Sequence, residues 1–329
     1  MAEHSRPRQP TMEDVADRAG VSRALVSIVV RGVAGASEAT RARVRAAADE
    51  VGYRPDARAR LLASGQSRQI GVIFLASGRF HHELLDGIYR AADAVGYEVI
   101  LSALTPSRDE GRAAQSLLDF RCEAVIQLGP ETAQPVIAGR VPVVVVGWHV
   151  SNPSVDVVRT SDETGMREAV DHLASLGHRE LVHVDGGDGV IAAARRRAFT
   201  AATQRHTMTG EVMAGGHVLH DGLGAARRLL DRDRLPDAVI AFNDDVAAAL
   251  VDTFVHAGVR VPQDVAVVGW DDTDVARLPH LDLTSVRQDA GELARLAVER
   301  CVGRLSGTPI HRRTQVLRPQ LVVRGSTGT

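Results

Sequence analysis

Apolar positions recur every three or four residues near the start of the chain, and from Gln69 onward they gather into short unbroken runs. In TMEDVADRAGVSRALVSIVVR, Thr11 to Arg31, Val15, Ala16 and Ala19 share one side of a first short helix. Val26, Val29 and Val30 share the inward side of a second. Thr11 caps the first, with Asp14 three residues on as its capping-box partner. Gly20 and Val21 make the turn, where glycine removes the steric penalty of a sharp reversal. Ser22 is a suitable N-cap for the second helix. Arg23, Ala24, Ser27 and Ile28 are left on its outward face. The pattern predicts a helix-turn-helix, whose second helix enters the DNA major groove and reads bases from its N-terminal residues. An ordinary helical hairpin is the competing reading. Ser37 caps a third helix to about Val51, with Gly52 placed as its C′ glycine.

Pro55 stops any continuous helix, and Asp56 can cap a short segment, ARARLLAS. Two turns of helix are unstable alone in water and need a partner helix or DNA. Gly65, Gln66 and Ser67 form a join. QIGVIFLA, YEVIL, EAVIQLG and VPVVVVG then alternate with helical stretches, and ELVHVDG, EVMAG, DAVIAF and DVAVVGWDD repeat the theme. The expectation is an α/β body with parallel sheets and helices on both faces, in two similar lobes flanking a cleft. Ligands in such sheets bind at the carboxyl ends of the strands.

Charge sharpens the picture. Residues 1–67 contain 11 Arg against 8 Asp or Glu, a balance of +3; since the whole 329-residue chain is −2, the remainder sums to −5. A basic head on an acidic body suits a nucleic-acid-binding module joined to a soluble domain. Cys122 and Cys301 are too few for a disulfide framework, and the polar first ten residues lack the apolar stretch of a secretory signal, so a cytoplasmic protein is expected, with no membrane partner. His81-His82 and His217 with His220 are the closest histidine pairs, without the spacing of a metal motif, and no metal or cofactor is expected. Asp185-Gly186-Gly187-Asp188-Gly189 reads as a strand–helix turn, and no nucleophile–base pair stands out, so an enzyme is not expected. A solute-binding protein of the same body remains the main competitor from another class.

DVADRAGVSRALVS, VGYRPD, ARARLLASGQS, IGVIF, HLASLGHRELV, Arg195 with Ala198-Phe199, PDAVIAFNDD, VPQDVAVVGWDD, LTSVRQD and LRPQLVVRGST together resemble the LacI/GalR family of bacterial transcription regulators, from Thr11 to about Thr327. The resemblance implies a homodimer binding a near-palindromic double-stranded operator, most simply as a repressor. It also implies a periplasmic-binding-protein-like body holding a small effector, a sugar or nucleoside-like molecule. The implied boundaries are a tail at 1–10, the head at 11–56, a hinge helix and linker at 57–67, and the body at 68–329. Within the body, lobe 1 takes about 68–163 plus 288–315, and lobe 2 takes about 164–287 plus 316–329.

Carried over residue by residue, the resemblance makes Arg23, Ala24 and Ile28 base readers, with Arg23 suited to a guanine edge or, alternatively, to a phosphate. Ile28 stands where the family commonly has Arg, which implies a different operator base pair there. Ser22, Ser27, Arg31 and Thr40 are implied as phosphate-positioning residues, with simple capping or solvation the alternative, and Thr11 and Tyr53 are implied as DNA-binding. Leu62, with Ala59 nearby, falls where a leucine wedges into the minor groove and kinks the duplex; the alternative is that Leu62 or the neighbouring Leu61 forms hinge-dimer core. Asp56 replaces a frequent Asn, a charge for Arg58 or Arg60 to offset. The effector site implied is Phe80, His81, Arg195, Leu219, Asn243, Asp271 and Gln288. Arg195 and Asp271 suit vicinal hydroxyls, with Arg196 an alternative to Arg195 and Leu219 in place of a frequent aromatic. Phe80, Trp148 and Trp270 are the candidates for stacking on a sugar face.

Overall fold

The computed structural model describes residues 10–54 and 66–328, apart from 77, 106, 130–136 and 138. The chain divides into two compact units, Met1–Ser67 and Arg68–Thr329. Expectations for Asp56, Arg58, Ala59, Arg60, Leu61 and Leu62, and for the tail at 1–9, lie outside the described residues.

The first unit holds three helices, α1 (Met12–Ala19), α2 (Arg23–Arg31) and α3 (Glu38–Val51). Thr11 and Asp14 form the expected capping box: the Thr11 N–H donates to Asp14 Oδ2 at 2.7 Å, and Thr11 Oγ1 accepts the Asp14 N–H at 3.4 Å. Gly20 ends α1 at φ 63°, a left-handed conformation that costs a residue with a Cβ about 1 kcal/mol or more. Val15, Ala16, Ala19, Val26, Val29, Val44 and Ala47 make the small core, with Val30 and Tyr53 packed partly against it.

The second unit contains two six-stranded sheets. Lobe 1 runs β1 (Gln69–Leu75), α4 (Arg79–Ala94), β2 (Glu98–Leu104), α5 (Glu110–Asp119), β3 (Ala124–Leu128), β4 (Val143–Val146) and β5 (Val155–Thr160). Lobe 2 follows with α6 (Asp162–Ser175), β6 (Glu180–Val184), α7 (Val190–Arg205), β7 (Thr209–Met213), α8 (Leu219–Leu230), β8 (Ala238–Ala241), α9 (Asp244–His256), β9 (Ala266–Asp271) and β10 (Thr284–Arg287). The chain returns to lobe 1 for α10 (Ala290–Leu305) and β11 (Thr314–Leu317), then to lobe 2 for β12 (Gln320–Val322).

The strand orders are β11-β5-β4-β3-β1-β2 and β12-β10-β9-β8-β6-β7. All pairings are parallel except β10 with β12, an antiparallel edge. Alternate side chains of β4 go to opposite faces: Val144 and Val146 join the core under α4 and α10, while Val143 and Val145 join the core under α5. A sheet covered on both faces needs such unbroken apolar strands.

Two readings need correcting. Val316 and Leu317 pair with Arg159 and Thr160 in the first sheet, so lobe 1 extends past the expected limit at 315. Pro319, which has no N–H to give a ladder, stands at the crossing instead. The alternation also did not pick out β5, α10 or β10 to β12, whose runs are short or broken by charge, as in VDVVRT.

Candidate functional site

On the head, α2 begins at Ser22, whose Oγ accepts the Leu25 N–H at 3.2 Å. Burial of Val26 and Val29 fixes the rotation of the helix, which leaves Arg23 and Ala24 exposed at its first turn. Ser27 and Ile28 are half-buried, and a Cβ added at Gly35 would meet Ile28 at 3.5 Å, so Ile28 lies close to the following loop. Arg31 Nε donates back to the Ser27 carbonyl at 3.2 Å. The Thr40 N–H and hydroxyl are both engaged by Ser37 Oγ, at 3.3 and 2.9 Å, as the cap of α3.

In the body, loops at the carboxyl ends of strands from both sheets converge on a cavity of about 470 Å³, within the ~300–1,000 Å³ of small-molecule sites. Lobe 1 contributes Leu75 from β1, Gly129 after β3, Val146 and Gly147 at the end of β4, and the first turns of α4. Lobe 2 contributes the β6–α7 turn, His217, the β8–α9 junction, Asp271 at the end of β9 and Gln288 after β10.

Arg195 anchors the floor. Its Nε donates to Asp162 Oδ1 at 3.0 Å and its Nη1 to the Phe242 carbonyl at 2.5 Å. Its guanidinium carbon lies 4.6 Å from the Phe242 ring centre and 4.2 Å from that of Trp270. Guanidinium groups are attracted to aromatic faces, more so when desolvated. Burial pushes the Asp162 carboxyl up, and Arg195 pulls it back only in part. Beside them, burial holds the Asp271 carboxyl well above the usual carboxylate range, against the pull of Arg195. Gln288 Nε2 donates to Asp271 Oδ1 at 2.7 Å. Asp271 sits at φ 107° and Asp272 at φ 57°, a strained pair of non-glycine residues at the rim.

Asn243 caps α9, its Oδ1 accepting the Val246 N–H at 2.9 Å and its Nδ2 donating to the His217 carbonyl at 2.8 Å. Asp244 accepts from Thr273 N–H at 2.7 Å and from Ser285 Oγ at 2.6 Å, yet burial lifts its carboxyl to about 7. Across the mouth, Arg79 of lobe 1 donates through Nε to Asp245 Oδ1 at 2.9 Å and lies 3.7 Å from Asp274. Burial raises the pKa of the nearby Glu83 carboxyl, against the pull of Arg277. Opposite charges thus tie the two lobes directly.

Comparison with known proteins matches residues 11–56 to the bacterial regulatory proteins of the lacI family and residues 170–327 to the periplasmic binding protein-like domain. The ribose operon repressor of Escherichia coli K12 is 32% identical over 96% of this chain and 99% of its own length. The chain belongs to the LacI family. CelR of Thermobifida fusca, an HTH-type transcriptional regulator, is 31% identical over 98% of this chain and 99% of its own. A crystal structure of the lac repressor dimer bound to operator and an anti-inducer matches with a TM-score of 0.86 at 29% identity, covering 98% of this chain and 100% of that one. Like its relatives, this LacI-family chain is a DNA-binding transcription regulator whose body serves a small-molecule effector.

The structure gathers Phe80, His81, Arg195, Asn243, Asp271 and Gln288 around one cavity. Leu219 is a correction: it is 51% exposed at the start of α8 and does not line the cavity, whereas His217, two residues earlier, does. Between Arg195 and Arg196 the geometry separates the roles. Arg196 turns away to Asp185 Oδ2 at 2.5 Å and the Gly187 carbonyl at 2.7 Å. Of the aromatic candidates, Trp270 is wholly buried beneath Arg195, and neither it nor Trp148 lines the cavity. Phe242 does, and was missed although it directly precedes Asn243 in PDAVIAFNDD. Asp188, read only as part of a turn, also reaches the lining, as do Arg79, Asp245 and Ile191. Their signal was position: each follows the carboxyl end of a strand or opens the next helix.

Proposed function

We propose that this regulator works as a dimeric repressor whose heads read a near-palindromic operator and whose cavity binds a sugar-like effector. Arg23 reads a guanine edge and Ala24 offers an apolar contact, while Ser22, Ser27, Arg31 and Thr40 position the helix on phosphates. Ile28 reads a base position differently from relatives that carry Arg there. Thr11 and Tyr53 support the head's contact with the DNA backbone. In the cavity, Arg195, Asp271 and Gln288 hold vicinal hydroxyls, Asn243 orients the β8–α9 junction, and Phe80 and His81 close from lobe 1. The effector biases closure of the lobes, and closure is relayed through the segment joining body to head. We assign no turnover to the cavity.

The observation that supports this most is the arrangement of Arg195, held between the Phe242 and Trp270 rings and paired with Asp162, which leaves a fixed polar floor beside Asp271 and Gln288. Preorganised donors and acceptors of this kind set ligand orientation in small-molecule sites. The test is a gel shift of the intact chain on DNA upstream of its own gene, across a salt series. A retarded species resistant to random competitor supports the reading. Equal displacement by any duplex refutes it.

A further inference from the structure

On the outward face of α2, Ile28 stays outside the small core of the head. It stands four residues, about one turn, beyond the exposed Ala24, so the two share an apolar stripe on the side turned away from Val26 and Val29. What half-buries Ile28 is the loop between α2 and α3. A Cβ built on Gly35 would stand 3.5 Å from both Cδ1 and Cγ2 of Ile28, so the glycine backbone lies against this side chain. Gly35 has φ 128°, a conformation that a residue with a Cβ adopts only under strain.

The loop is itself held at both shoulders. Arg41 Nη2 donates to the Val33 carbonyl at 2.7 Å and its Nε to the Ala36 carbonyl at 3.3 Å, while Ala36 packs on the core. A basic side chain of the head thus commits its guanidinium to the head's own backbone. A β-branched side chain on a helix is already confined largely to one χ1 rotamer, and the Gly35 backbone restricts it further. Ile28 is therefore ordered before DNA arrives, which lowers the entropy it loses on binding.

An alkyl group in the major groove can gain from one feature of a base edge. Guanine, adenine and cytosine offer acceptors and amino donors there, and covering these with an alkyl group leaves them unpaired; thymine alone adds a methyl group. Resting on the operator reading above, we propose that Ile28 reads the 5-methyl group of a thymine in each half-site, with Gly35 and Arg41 as positioning residues that hold it in place.

The test begins with selection of duplexes from a random pool by the intact chain, which yields the operator. In a parallel selection with Ile28→Ala, one A·T pair at symmetric positions of the two half-sites should lose its preference while the other selected pairs keep theirs. Ile28→Arg should select G·C at that position, since a guanidinium fork suits the guanine edge. Replacing the thymine by deoxyuridine then removes the methyl group and nothing else. Burying a methyl group is worth roughly fourfold in affinity, so the replacement in both half-sites should weaken binding of the parent chain by about 15-fold. In Ile28→Ala and in Arg41→Met the thymine-to-deoxyuridine ratio should fall toward one, a readout that a general loss of affinity for DNA does not move. An unchanged ratio in Arg41→Met overturns the role given to that residue. A ratio near one at every thymine with the parent chain, which needs no variant to fold, overturns the proposal, as does an Ile28→Ala variant that selects the same sequence. If the parent selects no sequence at all, the regulator reading falls as well, whereas a selected palindrome indifferent to deoxyuridine counts against this proposal alone.

Discussion

Replacing Arg195 with Met probes the floor of the cavity most sharply. Arg195 and Asp162 are each 5% exposed and joined by a 3.0 Å hydrogen bond. Removing the guanidinium strands a buried carboxyl, a change worth about 3–5 kcal/mol. It also removes the donor on the Phe242 carbonyl, worth about 1 kcal/mol. Methionine restores part of the contact with the two rings, so the net expected loss is about 4 kcal/mol at pH 7. Protonation of Asp162, already favoured by burial, keeps the loss near that value. The double variant Asp162→Leu with Arg195→Met replaces the pair by apolar groups and should recover to within about 1.5 kcal/mol of the parent. That is a recovery of roughly 2.5 kcal/mol over Arg195→Met alone, and the Asp162→Leu single variant completes the cycle that gives the coupling energy. Urea unfolding followed by tryptophan fluorescence reads this directly, because both tryptophans, Trp148 and Trp270, lie in the second unit. Both variants should lose effector binding. A double variant as unstable as Arg195→Met alone would show that the pair is not the source of the effect.

Three further outcomes are expected. Arg23→Ala should relax selectivity at one G·C pair by about 1–3 kcal/mol while changing non-specific binding little; an equal loss on every duplex, scored by anisotropy over single-base variants, would make Arg23 a phosphate contact instead. The His183 imidazole is wholly buried with Nδ1 on the Ile240 carbonyl at 2.9 Å, and burial lowers its pKa to about 4. The unfolded chain takes that proton near pH 6.5 and the folded chain only near 4, so its contribution is complete above 6.5 and is lost as pH falls, by about 3 kcal/mol. Asp244, raised to about 7, pulls the other way, so the measurement is the difference between His183→Gln and the parent in urea stability from pH 7 to 5; parallel curves would contradict it. Arg79→Ala unties lobe 1 from Asp245, a half-exposed pair worth ~1 kcal/mol at most. Effector affinity should change by no more than about fivefold with operator binding intact, and a total loss of affinity would mean that Arg79 holds the ligand itself.

The head was nearly all legible in the sequence, because capping and turn formation are local. Thr11, Ser22 and Ser37 each announce a helix start within three residues, and Gly20 and Gly52 mark stops at φ 63° and 70°. The strands of the sheet interiors were legible for a different reason: burial on both faces writes runs such as VVVV. Edge elements were not. β11 and β12 are three or four residues long and half exposed, so no periodicity marks them. The cavity was half legible. Asp271 and Gln288 fall on recognisable stretches, but their mutual hydrogen bond joins residues 17 apart through the loop that follows β9. Asp162 was invisible as the partner of Arg195 because it lies 33 residues away in sequence, on a helix start where an acid has an ordinary reason to be. Leu219 went wrong because a position carried over from a family resemblance does not say which way the first residue of a helix points.

The claim on which everything else depends is that cavity and head are coupled. Coupling between two binding sites is reciprocal: whatever factor the effector imposes on operator affinity, the operator must impose on effector affinity. Once an effector is identified, operator affinity is measured by anisotropy with and without it, and effector affinity by calorimetry with and without operator. The two ratios should agree, at a factor of roughly 5–150. Effector affinity indifferent to saturating operator would contradict the account.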